Sequence, residues 1–454
     1  VLIETKRELG RNFERRPGLL LSSSFDFVAV LTIAFVAVFS TAEVRASALM
    51  PETQPAQSGA DREEARAFSQ AIDSLVAGRM SELNIPGYSL CVIKNSAVVH
   101  RNSYGFANVE MRQPVTPETV FGLASVTKTF TALTLLSLVD KGLIGLEDPL
   151  EKYLKGLSNL YKGLTIRQLA SMTAGVPSQV PIQLPWRQQF PELMTLPLVS
   201  PPGSQFLYSN HSYRLLGSVI ETVTGRPYLE VVSETVLQPL NMSMTGTPIT
   251  LSGTGLVAQP YGDRNGTALR RPITYLSPEV SFAAGMLASN VDDLTRYVLG
   301  LMNGKIVSAQ AYQILWYDRP PLTTGAPSHW AFGWGSKSSP IYGGKRVVSM
   351  NGGIPGVAST IIILPETNSA VIALCNLRKP PVYGIAQQVA RLAFGVAQGG
   401  AAQDGTTVQG NVPPGGAIHG AIHGNVPPGG AASPQDEPVE SPIDSAESES
   451  MQNE

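Results

Sequence analysis

The chain is 454 residues long, 43% hydrophobic and 15% charged, with a formal net charge of −2. That composition is globular rather than disordered, allows two domains or one large domain with extensions, and implies no polyanionic partner such as nucleic acid. Two cysteines, Cys91 and Cys375, are too few for a disulfide framework, and with no Cys-x-x-Cys or His-Glu-x-x-His nothing marks a metal site, so no cofactor is expected.

The first 24 residues carry Lys6, Arg7, Arg11, Arg15 and Arg16, followed by an apolar run over 27–39 and then Ala46-Ser47-Ala48. A basic segment, a short apolar core and an A-x-A site read as a secretory signal over 1–48, and so as a secreted or extracytoplasmic protein. The core is shorter than the ~20 apolar residues of a spanning helix. An uncleaved anchor and a buried helix are the alternatives, and only the anchor would bring a membrane into play. A polar linker follows over 49–61.

A helix is expected over 62–83, a turn at Ile85-Pro86-Gly87, and a buried strand over 88–93. Turn chemistry at Lys94-Asn95-Ser96 leads to a hairpin partner over 97–105. Phe121-Gly122-Leu123-Ala124-Ser125-Val126-Thr127-Lys128 then opens an apolar run over 130–139 that should be a buried helix, with Gly142 as its stop. Ser125 and Lys128 are three residues apart, hence on one helix face. A serine hydroxyl is a poor nucleophile until a base takes its proton, and a lysine amine held against it can do that. Alone the pair is a weak signal.

Thr165 and Gln168 form a capping box. The Pro-rich stretch 176–202, with Trp186, is expected to wrap the surface. Pro202-Gly203 precedes Tyr208-Ser209-Asn210 and a helix that Gly225 and Pro227 stop, and Asn290 caps another. Strands are expected over 345–350, 357–364 and 369–376, with 351–356 and 365–368 as their connections, and a closing helix over 382–396. From 398 the sequence repeats Asn-Val-Pro-Pro-Gly-Gly-Ala, turns acidic and has no lysine or arginine, so it should not order itself. Its His419 and His423 are a remote possibility for metal capture.

These residues resemble the serine β-lactamase and penicillin-binding superfamily, in particular its class C-like branch with related esterases and D-aminopeptidases. Ser125-x-x-Lys128 and Tyr208-x-Asn210 match its first two motifs, and the third, a Lys- or His-led triplet on an edge strand, falls at Met350-Asn351-Gly352. Leu216-Gly217, Gln238-Pro239-Leu240-Asn241-Met242 and Ala284-Gly285-Met286-Leu287 also look like the family. The resemblance implies an α/β fold over 62–397, an antiparallel sheet flanked by helices plus a mostly helical second domain, with the site in the cleft between them. It implies Ser125 as nucleophile and Lys128 and Tyr208 as proton shuttles, with the base open between them. Asn210 would bind Lys128 or a substrate amide, and the N–H groups of Ser125 and Gly353 would form the oxyanion hole. It also pairs the first and last strands, which puts Cys91 and Cys375 on neighbouring strands and leaves a bond between them open.

The departures are Met350, where the family has Lys or His, and Met172, where it usually has His. His211 is either a substrate contact or a solvent-facing helix-start residue. The Asn210 sequon should stay unused inside a cleft, whereas those at Asn241 and Asn265 are likelier acceptors in composition. The expected activity is hydrolysis of small esters or amides through an acyl-enzyme on Ser125, with weak or no β-lactamase activity and a preference for neutral esters, because Met350 offers no donor to a carboxylate. A catalytically inactive relative that binds a ligand or self-assembles is the alternative.

Overall fold

Antiparallel pairing of seven strands builds the sheet that carries one wall of the site. They are β1 (Gly87–Lys94), β2 (Ala97–Asn108), β3 (Gln113–Pro114), β4 (Gly335–Ser338), β5 (Arg346–Ile354), β6 (Val357–Leu364) and β7 (Ser369–Cys375). Their order is β3-β2-β1-β7-β6-β5-β4. The computed structural model describes residues 59–178, 184–263, 270–323, 325, 328–378 and 381–395. The signal or anchor segment, the linker up to residue 58, the acceptor Asn265 and the C-terminal repeats with His419 and His423 lie outside the described residues. The chain divides after Arg62, and the sheet and the site belong wholly to the second unit, Glu63–Glu454.

β6 and β7 are buried along their whole length, which explains why they read as near-continuous apolar runs rather than alternating ones. β1, β6 and β7 feed two cores. On one face Tyr88, Leu90, Val92, Ala358, Ile362, Val371 and Ala373 meet Ile72 and Val76 of helix α1 (Gly59–Leu83) and Ile385 and Val389 of the closing helix. On the other, Cys91, Ile93, Ile361, Ile363, Ile372 and Leu374 join the larger core around helix α2 (Thr127–Asp140). Twelve of the fourteen residues of α2, Thr127 to Leu138, are buried, as the apolar run requires of a helix packed on all sides.

Two expectations are corrected, and a question left open is decided. The stretch 351–354 is not a connection: β5 continues through it, and only Pro355-Gly356 turn back to β6. Trp186 does not wrap the surface; it starts helix α3 (Trp186–Leu193), is buried, and donates its indole N–H to Ser218 Oγ at 2.8 Å. Cys91 and Cys375 are on neighbouring strands, but Cys375 pairs with Tyr88 while Cys91 pairs with Ile372, and the two thiols enter opposite cores. Both are free. Strand β4 has no apolar signature, and its pairing with residues 346–349 is what makes it a strand.

Candidate active site

Ser125 sits in a 3-10 turn (Ala124–Val126) immediately before α2, and is 7% exposed. The preceding Ala124 has φ +45°, a left-handed value that a residue with a Cβ adopts only when its surroundings force it. The surroundings are visible. Leu123 N–H donates to Leu287 O at 2.8 Å, and Leu123 O accepts from the buried Ser359 hydroxyl of β6 at 2.6 Å. Thr127 Oγ1 accepts from Leu287 N–H at 3.1 Å. The turn is therefore clamped between the sheet and the segment around 284–287.

Lys128 is fully buried one helical turn later. Its Nζ lies 2.9 Å from Ser125 Oγ, 2.7 Å from Asn210 Oδ1 and 3.0 Å from Ala284 O. It also lies 4.8 Å from the centre of the Tyr208 ring, whose π face favours a cation. The i, i+3 spacing brought serine and lysine together, as read from the sequence. Asn210, 82 positions away, completes the contact as the spacing of the second motif suggested. The carbonyl of Ala284 was not legible, because any residue presents a carbonyl.

The Tyr-x-Asn spacing has a local cause. Ser209 is extended (φ −140°, ψ 120°), and side chains alternate along extended chain, so Tyr208 and Asn210 share one side. Ser209 takes the other and is pinned there: its N–H goes to Met172 Sδ at 3.3 Å and its hydroxyl to Pro177 O at 3.1 Å. Leu207 N–H donates to Met172 O at 2.8 Å. Met172, itself at φ +58° and buried, thus holds the loop with a thioether where the family usually has a ring nitrogen. Asn210 then begins helix α4 (Asn210–Thr224). Tyr208 rests edge-on against Trp330 with ring centres 5.6 Å apart, a neighbour no motif announced.

His211 is neither a substrate contact nor solvent-facing. It is fully buried beside Trp186, with Nδ1 2.9 Å from Pro177 O. Nδ1–H is therefore the donor and Nε2 bears the lone pair. Burial, reinforced by the Arg214 charge and only partly opposed by the Pro177 bond, lowers its pKa to about 4.

The third motif lies on β5. Gly352 faces the nucleophile turn so closely that an added methyl would meet Leu123 O and Ser359 Oγ and lie 3.1 Å from Ser125 N. Met350, two residues back on the same face, is 2% exposed and packed in the larger core, not open to the cleft. Asn351 is half-buried on the opposite face. The two-residue turn makes Ile354 and Val357 the hydrogen-bonded pair that closes the hairpin, so the next pair, Gly353 and Ala358, is not hydrogen-bonded. The N–H of Gly353 therefore points away from β6. On that side β4 reaches only as far as Ser349, which leaves this part of the β5 edge open.

The family model described as Beta-lactamase matches residues 72–411. The chain is 27% identical over 328 residues to Protein flp of Staphylococcus aureus (strain N315), covering 68% of this chain and 63% of that protein. It is 26% identical over 310 residues to Penicillin-binding protein 4* of Bacillus subtilis (strain 168), covering 63% of this chain and 67% of that one. The chain thus spans less than two thirds of the length of the flp proteins it matches. Among solved structures, the octameric penicillin-binding protein homologue from Pyrococcus abyssi superposes with a TM-score of 0.62 at 29% identity, over 71% of this chain and 77% of that one. The seven-stranded sheet, the buried Ser125–Lys128–Asn210 contact and a family match across most of the chain lead to one assignment: this chain belongs to the Beta-lactamase family, within the serine β-lactamase and penicillin-binding protein superfamily.

Proposed function

We propose that the chain is a serine hydrolase of small esters or amides that works through an acyl-enzyme on Ser125. The observation that carries this reading is the position of Lys128 Nζ, within 3.0 Å of Ser125 Oγ, Asn210 Oδ1 and Ala284 O at once. A neutral amine has two hydrogens and one lone pair. Asn210 and Ala284 have fixed acceptors for the hydrogens, which leaves the lone pair facing the serine O–H. Lys128 then takes the proton as Ser125 Oγ attacks the carbonyl carbon, and becomes an ammonium with three acceptors for three hydrogens. Tyr208, over the amine, is the relay that returns a proton to the leaving group. The oxyanion is held by the N–H groups of Ser125 and Gly353, main-chain donors fixed before the reaction starts. Water then repeats the attack on the ester of Ser125 and releases the acid.

Labelling with a fluorophosphonate or penicillin probe, with the adduct located by mass spectrometry, tests the assignment. The expected adduct is on Ser125, and Ser125→Ala should lose both adduct and aryl-ester turnover while keeping its melting temperature, since only one hydroxyl of packing is removed. Turnover that survived in Ser125→Ala would overturn it.

A further inference from the structure

A lone pair on Lys128 faces Ser125 only while Ala284 O holds one of the amine's hydrogens at 3.0 Å. The main chain that presents this carbonyl is not relaxed. Phe282, two residues earlier, has φ +43° and ψ −140°, a conformation that a bulky residue keeps only where its surroundings impose it. Helix α4 supplies part of the constraint: a methyl added to its Gly217 would collide with Ala283 Cβ and the Phe282 ring. The rest comes from Tyr228, which begins helix α5 (Tyr228–Val232) and sets its ring 5.3 Å from that of Phe282. Its hydroxyl points to Thr131 of α2, one helical turn beyond Lys128, at 2.7 Å. Thr131 Oγ1 has two carbonyls in reach, Ala283 O at 2.7 Å and Thr127 O at 3.3 Å. Carbonyls only accept, so the single Thr131 hydrogen goes to the nearer one, Ala283 O, and Tyr228 is the donor to Thr131 Oγ1. All three residues are buried. Two successive carbonyls, those of Ala283 and Ala284, are thus taken by Thr131 and Lys128 from adjacent turns of α2, and Leu287 N–H is taken by Thr127 Oγ1 at 3.1 Å.

Resting on the reading of Lys128 as the base for Ser125, we propose that Tyr228 and Thr131 are positioning residues for acylation: their hydrogen bonds hold the peptide of Ala283, and through it the Ala284 carbonyl that turns the Lys128 lone pair to Ser125. The peptide group is planar, so a fixed Ala283 O fixes the plane from which Ala284 continues. Neither residue acts on the reacting atoms. Without the Tyr228 hydroxyl, the Thr131 hydrogen can turn to Thr127 O, the bond to the preceding turn that threonine commonly makes within a helix. Ala283 O is then released, and the strained Phe282 segment with it.

The test is the time course of Ser125 labelling by a fluorophosphonate in the full chain. Its amplitude counts competent sites, its maximal rate reports acylation at each of them, and its half-saturating concentration reports binding. A purely structural role would lower the amplitude alone. Tyr228→Phe, which keeps the ring against Phe282, should lower the maximal rate by about three- to tenfold, the range for one hydrogen bond, and move half-saturation by no more than about twofold. Thr131→Val should lower the rate by about tenfold or more, because a buried carbonyl and a buried hydroxyl both lose their partner. Thr131→Ser should restore it to within about threefold, less than that loss. The double variant Tyr228→Phe/Thr131→Val should be no slower than Thr131→Val, since the two residues act in series. Maximal rates within about twofold of the unmutated protein in Tyr228→Phe and Thr131→Val, or losses that multiply in the double variant, overturn the proposal. If Thr131→Val does not fold, Tyr228→Phe decides alone by the same limit. Absence of any adduct on Ser125 in the unmutated protein would count against the hydrolase reading instead. The positioning is then decided by crystal structures of the unmutated protein and Tyr228→Phe: the variant must carry Ala284 O beyond the ~3.5 Å reach of Lys128 Nζ, or the proposal fails.

Discussion

A buried histidine with an unpartnered ring nitrogen shows how residue-scale chemistry sets a property of the whole fold. His211 has its pKa lowered from the ordinary 6.5 to about 4, chiefly because burial disfavours the imidazolium. Between those values the unfolded chain holds a proton that the folded chain does not. The group's contribution is therefore fully present above pH 6.5 and is lost as pH falls toward 4. From pH 7 to pH 5 the loss is about 2 kcal/mol at ~1.4 kcal/mol per pKa unit. Comparison of urea unfolding for the unmutated protein and His211→Asn at the two pH values checks this. The stability difference between them should narrow by that amount on acidification; a difference that stayed constant would mean that His211 does not titrate in this window. Because Nδ1 holds Pro177 O, and Ser209 holds the same carbonyl, the second motif should loosen along with it.

At the scale of elements, the decisive contact is β5 against the nucleophile turn. Gly352 is there because nothing larger fits between the strand, Leu123 O and Ser125 N. Gly352→Ala must push β5 away from the turn, against the Ser359 hydroxyl that ties Leu123 to β6. Overpacking of this kind costs about 1–3 kcal/mol. The variant should fold with a lowered melting temperature, and labelling of Ser125 by a fluorophosphonate should slow by about tenfold or more, as expected of ~1.4 kcal/mol or more lost from the geometry of attack. Full-rate labelling in a folded Gly352→Ala protein would show that the strand does not position the serine. The same contact explains why 351–354 reads as a loop in sequence: Asn-Gly-Gly is turn chemistry, and here the glycines serve close approach within a strand instead.

For the molecule as a whole, the two cores separate what adjacency alone would join. Cys91 and Cys375 occupy neighbouring strands yet point to opposite faces of the sheet. Burial raises the Cys91 pKa to about 11, which suppresses the thiolate needed for oxidation. Alkylation after denaturation without reductant should therefore modify both residues, and reductant should leave the melting temperature unchanged. A peptide map containing a linked Cys91–Cys375 pair would contradict the strand register.

The sequence by itself determined the family, the Ser125–Lys128 pair, the Tyr208–Asn210 pair, the buried α2 and the central strands, because each rests on short spacings or local apolar periodicity. The partners that complete the site could not be read that way. Ala284 O lies 156 positions beyond Lys128 and Ser359 lies 236 beyond Leu123, Trp330 meets Tyr208 through a ring contact that no motif announces, and a carbonyl is an atom every residue possesses. Whether a methionine faces a cleft or a core, and whether two cysteines face each other, depends on register and on which face of the sheet is turned inward. One residue of slip reverses both, so only the tertiary structure could decide that Met350 is core and that the cysteines are apart.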